Sequence, residues 1–285
     1  MIGAIEKVKN SLVATWDFLK SNYPFLLFYF FKIYVLFYGL VILFILVMLI
    51  SLGSLNSIYN FDQNPFMQLL IIVSIVILSF IIYAMSCTAY LAVHEKTKGK
   101  NVPIINQTKD FFIPATKFLL LCFLILIIPF ILLNYASSIN NDLLELIVII
   151  IIISIIFVLQ FSQLVLSLQK QKGVVYSMGE SYSLIKQNFV STILFDIILI
   201  GVILLLMFVF DQIQTASTRV LISFFIPSIY SMFSLNYIIS LFVIILIWVL
   251  IQSTVLAMMM TVIQYFFWNA IQIRRKSTKQ IKRKK

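Results

Sequence analysis

Charged residues are scarce in this sequence: Asp, Glu, Lys and Arg make up 11% of its 285 residues, whereas hydrophobic residues make up 62%. Soluble globular domains are about a quarter charged and about half apolar. A chain of this length cannot enclose so many apolar side chains beneath a water-exposed surface. The composition therefore excludes an ordinary soluble protein and indicates that lipid surrounds most of the chain.

Side chains that carry out chemistry are also few. The single histidine, His94, opens the stretch HEKTKGK, but a zinc helix of the H-E-x-x-H type needs a second histidine where Lys98 stands. Cys87 and Cys122 have no CxxC partner and are interpreted as small apolar residues. No phosphate loop, dinucleotide fingerprint or G-x-S-x-G elbow occurs. We therefore expect no catalytic, cofactor-binding or metal site, and a protein that is not an enzyme.

Long apolar runs are abundant instead. A helix needs about 20 apolar residues to cross a bilayer, and six runs reach that length, near residues 25–51, 66–93, 118–136, 143–168, 189–210 and 237–268. Backbone groups in hydrocarbon must be hydrogen-bonded within the segment, which favours helices. The first run is about twice as long as a signal-peptide core, so we do not expect its cleavage. The predicted fold class is an all-α membrane protein with six transmembrane helices.

Basic residues indicate the orientation, because Lys and Arg in short loops mark the cytoplasmic side. Six spans place 20 of the 21 basic residues in the N-terminal segment, the loops near 94–117 and 169–188, the tail 274–285, or, for Lys32, just inside the first span. Only Arg219 falls on the opposite side. We expect a multi-pass protein of the cell membrane with both termini in the cytoplasm.

The tail RRKSTKQIKRKK admits two interpretations. A basic run can bind the phosphates of nucleic acid, or it can orient the chain and rest on anionic headgroups at about 1 kcal/mol per basic residue. No soluble module accompanies the run, which favours the second interpretation. The expected partners are membrane lipids, including anionic headgroups at the cytoplasmic face, with a membrane protein as a further candidate and no nucleic acid.

Two amphipathic segments share one pattern. Residues 8–23 and 173–189 each carry apolar positions at steps of 4, 4, 3 and 4, which is one face of a helix, and the two sets are offset by 166 residues. The same register pairs Lys20 with Lys186 and Asn22 with Asn188. The apolar positions are Val8, Leu12, Trp16, Leu19 and Tyr23 in the first copy, and Val174, Met178, Tyr182, Ile185 and Phe189 in the second.

This internal repeat predicts the architecture. A third copy belongs at 103–117, where Pro114 interrupts the helical pattern and the register is ambiguous. One polytopic domain, 1–285, then consists of three parallel units, near 1–95, 96–172 and 173–285, each an interfacial amphipathic helix followed by a helical hairpin. We expect the interfacial helices to lie on the inner leaflet with their apolar faces down and to form a belt at the cytoplasmic side.

The second copy resembles a known family. Gly173, Ser181, Tyr182, Leu184, Lys186, Asn188 and Phe189, leading directly into a span, are similar to the multi-pass membrane domain attached to some glycerophosphoryl diester phosphodiesterases and found alone in many prokaryotic proteins; Trp16, Leu19, Lys20 and Asn22 match the same motif. In that family the phosphodiesterase chemistry lies in a separate soluble barrel, for which this chain has no room. The resemblance therefore implies a membrane domain without catalytic residues.

Two charged residues fall within the predicted spans. Lys32 and Asp196 each lie about seven residues into a span, roughly 10 Å from the cytoplasmic boundary at 1.5 Å per residue. Charges at that depth are costly and are usually paired or functional. Lys32 either extends toward the cytoplasmic headgroups or forms an intramembrane ion pair with Asp196, which the offset of 166 places near the equivalent position.

Uncharged polar residues within the spans leave the function open. They either line a pathway or, as is commoner, hydrogen-bond neighbouring helices; the set is Asn134, Gln160, Ser162, Gln163, Gln252, Ser253 and Thr254. The outer segment 212–236 is predicted as a surface helix or a re-entrant hairpin. The sequence favours a non-enzymatic scaffold, partner subunit or lipid-organising module. The alternative is a transporter or channel for a lipid-like or small solute.

Overall fold

The computed structural model describes residues 2–52, 65–225 and 235–283, and the regular secondary structure of these ranges is entirely helical. A 3-10 turn, Lys170–Lys172, precedes one of the helices. The α-helices are α1 (Ile2–Leu52), α2 (Pro65–Lys96), α3 (Ile104–Ser138), α4 (Asp142–Leu159), α5 (Ser162–Leu168), α6 (Gly173–Gln187), α7 (Phe189–Phe225) and α8 (Leu235–Arg283). The all-α fold expected from the composition is confirmed for the described residues.

Among the described residues, six helical segments are long and apolar enough to cross a membrane: Gly3–Leu43, Ile72–Lys96, Ile104–Ser138, Asp142–Leu168, Phe189–Ser217 and Val243–Gln272. The most apolar 18-residue stretch of each has between 6% and 33% of its residues buried inside the protein. Large apolar side chains thus cover most of the helix surfaces. Exposed apolar surface on this scale is typical of a protein whose helices face lipid.

The helices differ from the predicted boundaries at their starts. Only α6 is a separate amphipathic helix among the described residues; residues 8–23 and 104–117 belong to α1 and α3, which continue into their spans. The helix α6 ends at Gln187 and is capped by Asn188, whose backbone N–H donates to the carbonyls of Leu184 and Ile185. In α1 no such cap follows Tyr23, and Pro24 is accommodated inside the helix, as prolines are in membrane spans. The expectation of a detached interfacial helix in every unit is therefore wrong.

Two further boundaries also differ. The helix α7 continues to Phe225, so residues 212–225 extend the fifth span as a helix, whereas 226–234 lie outside the described residues. The predicted run 143–168 is interrupted, because α4 ends at Leu159 and α5 begins at Ser162. The helix α1 is also longer than a single span requires. Its 51 residues extend about 75 Å, more than twice the thickness of the hydrocarbon layer.

The chain divides into two compact units. One comprises 1–38 and 190–267, and the other comprises 39–189 and 268–285. These units are defined by packing and do not coincide with the three sequence repeats, whose organisation stays a prediction.

In the first unit α1 and α8 contact each other at two levels. The rings of Phe18 and Phe266 lie 5.2 Å apart between centroids, and the hydroxyl oxygens of Tyr38 and Ser253 lie within hydrogen-bond distance at 2.8 Å. The residue numbers run in opposite directions along the pair, so the two helices are antiparallel.

In the second unit α2 packs against α3 and α5, and α6 packs against α3, α4 and α5. Its core contains small residues that allow the helices to approach closely. The core cluster consists of Ala84, Cys87, Phe111, Ala115, Phe118 and Leu166. Val174 and Met178 of α6 pack against this cluster.

Candidate membrane-interface site

Within the predicted belt of apolar side chains, burial differs between aliphatic and aromatic residues. In the first copy Val8 and Leu19 are buried, Leu12 is half-buried, and Trp16 and Tyr23 are exposed. In the second copy Ile185 is buried, Val174 and Met178 are half-buried, and Tyr182 and Phe189 are exposed. The aliphatic members are therefore buried or half-buried, and the aromatic members are the exposed ones.

A lysine accompanies the exposed aromatic residues in both copies. Trp16, Lys20 and Tyr23 are spaced i, i+4 and i+7, which is one face of α1, and Trp16 is 69% exposed. Tyr182, Lys186 and Phe189 have the same spacing in the sequence; Tyr182 and Lys186 share one face of α6, whereas Phe189 is the first residue of α7. The Lys186 Nζ lies 5.8 Å from the centroid of the Tyr182 ring. We call these two triplets the aromatic–lysine faces. Aromatic rings and snorkelling lysines are the side chains typical of the membrane–water interface.

Small hydroxyl residues occupy the opposite, buried side of both segments. Ser11 and Thr15 are buried in α1, and their equivalents at the offset of 166, Ser177 and Ser181, are buried in α6. The asparagine side chains also correspond: Asn22 Nδ2 donates to the Phe18 carbonyl at 3.0 Å, and Asn188 Nδ2 donates to the Leu184 carbonyl at 2.9 Å. These equivalences agree with the repeat that the sequence predicts, although they do not test its third copy.

The third segment has a burial pattern of its own. Phe111, Ala115 and Phe118 are buried on α3, and they follow Ser11, Thr15 and Phe18 by 100 residues. An alignment on Phe112, with an offset of 96, pairs the exposed Phe112 with the exposed Trp16 and the buried Phe111 and Ala115 with the buried Thr15 and Leu19. Burial therefore does not decide between the two registers, and the third copy stays a prediction.

Ser181 connects α6 to the interruption between α4 and α5. Its Oγ donates to the Val158 carbonyl at 2.6 Å and accepts from the Phe161 backbone N–H at 3.2 Å. Phe161 and Ser162 are themselves buried, and non-helical backbone at membrane depth is tolerated where protein encloses it. One hydroxyl thus pairs two backbone groups that the interruption releases.

Sequence reasoning missed this role of Ser181. Ser181 lies off the predicted apolar face of the segment 173–189, yet it is buried. Two signals mark it in retrospect: Ser177 precedes it by one helical turn, and the polar residues Gln160, Ser162 and Gln163 interrupt an otherwise apolar run. A stripe of small polar residues on one helix, together with a polar interruption in another, indicates a buried contact between them.

Gln163 and Ser253, polar residues within the spans, hydrogen-bond neighbouring helices. Gln163 Nε2 donates to the Tyr83 carbonyl at 3.4 Å, and the Ser253 hydroxyl pairs with the Tyr38 hydroxyl. The Thr254 hydroxyl donates to the Leu250 carbonyl of its own helix at 2.7 Å. These contacts agree with a structural role for these side chains.

Lys32 and Asp196, the predicted intramembrane pair, differ in exposure. Lys32 is exposed, and its Nζ lies 4.2 Å from the centroid of the Phe28 ring, one turn nearer the N terminus. That is the direction in which a lysine must extend to approach headgroups on the N-terminal side. Asp196 is half-buried. An ion pair between the two residues stays a prediction.

His94 belongs to a small cluster of charged groups at the end of α2. Its Nε2 lies 3.9 Å from Glu95 Oε1, which also accepts a hydrogen bond from Lys98 Nζ at 2.8 Å. Within the described ranges, no group of three or more His, Cys, Asp or Glu residues is placed to hold a metal ion.

An entirely helical fold, six helices of membrane-spanning length and largely exposed apolar side chains define the described chain as an all-α, multi-pass membrane protein. No family model matches the chain, and the searches of curated proteins and of solved structures gave no match. The comparisons therefore provide no link to the membrane domain of glycerophosphoryl diester phosphodiesterases, and that resemblance stays a hypothesis from the sequence.

Proposed function

We propose that the protein is a non-enzymatic module of the cell membrane that organises lipid at the cytoplasmic surface. The observation that carries the proposal is the presence of two exposed aromatic–lysine faces with identical spacing, Trp16–Lys20–Tyr23 and Tyr182–Lys186–Phe189. The resemblance to the phosphodiesterase-associated membrane domain supports the same function, since in that family the catalysis lies in a separate domain.

The proposed enrichment of anionic lipid depends on the depth of the two lysines in the membrane and on their charge. Aromatic rings prefer the headgroup level of a bilayer, so each aromatic–lysine face would hold its lysine at that level. A basic residue near an anionic surface contributes about 1 kcal/mol, which is about a fivefold local enrichment of anionic lipid. Two such faces on one chain would gather anionic lipid around the protein and provide a surface for a membrane-protein partner.

Lipid selectivity tests this function. We reconstitute the full chain in bilayers that contain spin-labelled phosphatidylglycerol or spin-labelled phosphatidylcholine, and measure the motionally restricted fraction of each label. The phosphatidylglycerol label should be enriched several-fold at the protein surface, and Lys20→Gln combined with Lys186→Gln should reduce that enrichment more than the loss of two other basic residues does. Lys9→Gln with Lys100→Gln is the matched control, because it removes the same charge from two other exposed lysines. Equal losses in both double variants would contradict the proposal.

The cytoplasmic orientation makes a separate prediction. A reporter that is active only in the cytoplasm should give a signal when fused after residue 285 and none when inserted near residue 62, because 20 of the 21 basic residues lie on one side of the predicted topology or just inside the first span. A signal from both fusions, or from the insertion alone, would show that the aromatic–lysine faces do not meet the inner leaflet.

A further inference from the structure

An open groove of about 430 Å³ lies between α1 and α8 in the first unit. Residues of α1 form one wall, including Tyr23, Leu27, Phe28 and Phe31, and Ile251 and Val255 of α8 contribute to the other. On α1 the lining residues lie between Phe18 and Tyr38, which contact α8 at Phe266 and Ser253, and on α8 the lining residues lie beside Ser253. These two contacts hold α1 and α8 together near the groove.

The lining of the groove is mostly apolar and suits a hydrocarbon chain. Its only lining groups with polar side chains are Tyr23 and Thr254, and the Thr254 hydroxyl is already bonded to the Leu250 carbonyl. Residues 23 and 31 lie about 12 Å apart along the axis of α1, which matches an elongated apolar ligand. Phe28 and Tyr23 are exposed at the groove, so a chain could enter from the surrounding lipid.

A cation lies at the edge of this groove. The Lys32 Nζ is positioned over the ring of Phe28, a lining residue, at 4.2 Å from its centroid, and Lys32 is exposed. A cation–π contact uses only one side of an ammonium group, so N–H donors stay accessible to an anionic oxygen. An apolar groove with a cation at its edge is complementary to a molecule that has a hydrocarbon chain and an anionic headgroup.

We propose that this groove binds one acyl chain of an anionic phospholipid whose phosphate accepts a hydrogen bond from the Lys32 ammonium. The inference rests on the proposed lipid-organising function and deepens it. Its cation, Lys32, is neither of the two lysines of the aromatic–lysine faces. It assigns a lipid phosphate to Lys32 as its anionic partner, which agrees with the first of the two alternatives from the sequence, extension toward the headgroups, and not with the pair with Asp196.

Native mass spectrometry of the delipidated full chain tests the site. The protein is titrated with phosphatidylglycerol and with diacylglycerol of identical chains, and the first bound molecule is quantified. We expect phosphatidylglycerol to bind on the order of tenfold more tightly, the factor that one charge-assisted hydrogen bond supplies, because diacylglycerol has no phosphate to accept a hydrogen bond from Lys32. Lys32→Met should reduce this ratio to near one, Lys32→Arg should retain most of it, and Val255→Trp, which narrows the groove, should weaken both lipids.

Further measurements distinguish lipid binding in this groove from binding elsewhere on the protein. Soluble glycerol 3-phosphate should not displace the lipid, because it lacks a chain for the groove; displacement at equal concentration would contradict the proposal. Unchanged selectivity in Lys32→Met, or unchanged binding in Val255→Trp, would also overturn it. The Lys20→Gln, Lys186→Gln double variant should retain this single lipid while its general enrichment falls, so failure of the groove and failure of the proposed function give different results.

Discussion

Phe195→Ala is expected to destabilise the protein by about 3 kcal/mol, the lower end of the range for removing a buried aromatic ring. Phe195 is 1% exposed and stacks on the buried ring of Phe267, with centroids 3.9 Å apart and planes 6° from parallel. In a membrane the hydrophobic gain from leaving water is small, since lipid is also apolar. The loss therefore comes from vacated packing, because a cavity lined by rigid neighbours keeps few of the contacts.

Thermal unfolding of the detergent-solubilised protein, followed by circular dichroism, measures this effect. Phe208→Ala is the matched control, because it removes the same ring from the same helix, α7, at a position that is 62% exposed. Phe208→Ala should unfold within about a degree of the wild type, since exposed substitutions usually change stability by at most about 0.5 kcal/mol. Equal shifts for the two variants would show that the Phe195–Phe267 stack does not stabilise the first unit.

Ser181→Ala is expected to have the second largest effect. It removes the hydroxyl that donates to the Val158 carbonyl and accepts from the Phe161 N–H. Each buried backbone group that loses its partner costs about 1–3 kcal/mol. The loss of both should destabilise the protein by roughly 2 kcal/mol, the lower end of the range for two such groups, and it should be localised at the interruption between α4 and α5.

Hydrogen–deuterium exchange distinguishes this local loss from a general one. Peptides that cover residues 157–166 should exchange faster in Ser181→Ala, because the released amide of Phe161 is no longer protected. Ser177→Ala is the control: Ser177 is equally buried on α6, but its hydroxyl donates to the Gly173 carbonyl within the same helix. If exchange at 157–166 increases equally in both variants, the hydrogen bonds of Ser181 do not hold the interruption together.

The fold class could be predicted from the sequence because it depends on a local property. A helix crosses a bilayer when about 20 consecutive residues are apolar, and each of the six apolar runs lies within a helix, or for 143–168 within the consecutive helices α4 and α5. The spacing of Trp16, Lys20 and Tyr23, and of its copy at 182–189, was likewise present in the sequence as an i, i+4, i+7 pattern. Composition and periodicity were sufficient for both.

The sequence could not decide which apolar side chains face protein and which face lipid. Both surroundings are apolar, so Leu19 and Trp16 satisfy the same pattern, although the first is buried and the second is exposed. The continuity of α1 across Tyr23 and the interruption after Leu159 also depend on neighbouring helices, because those helices supply or withhold the partners of backbone groups. Ser181 shows the difference most directly. The carbonyl that accepts its hydrogen bond and the amide that donates to it belong to a segment about 20 residues earlier in the chain. Local sequence therefore determined that the chain lies in a membrane, and tertiary packing decided which residues are left to act there.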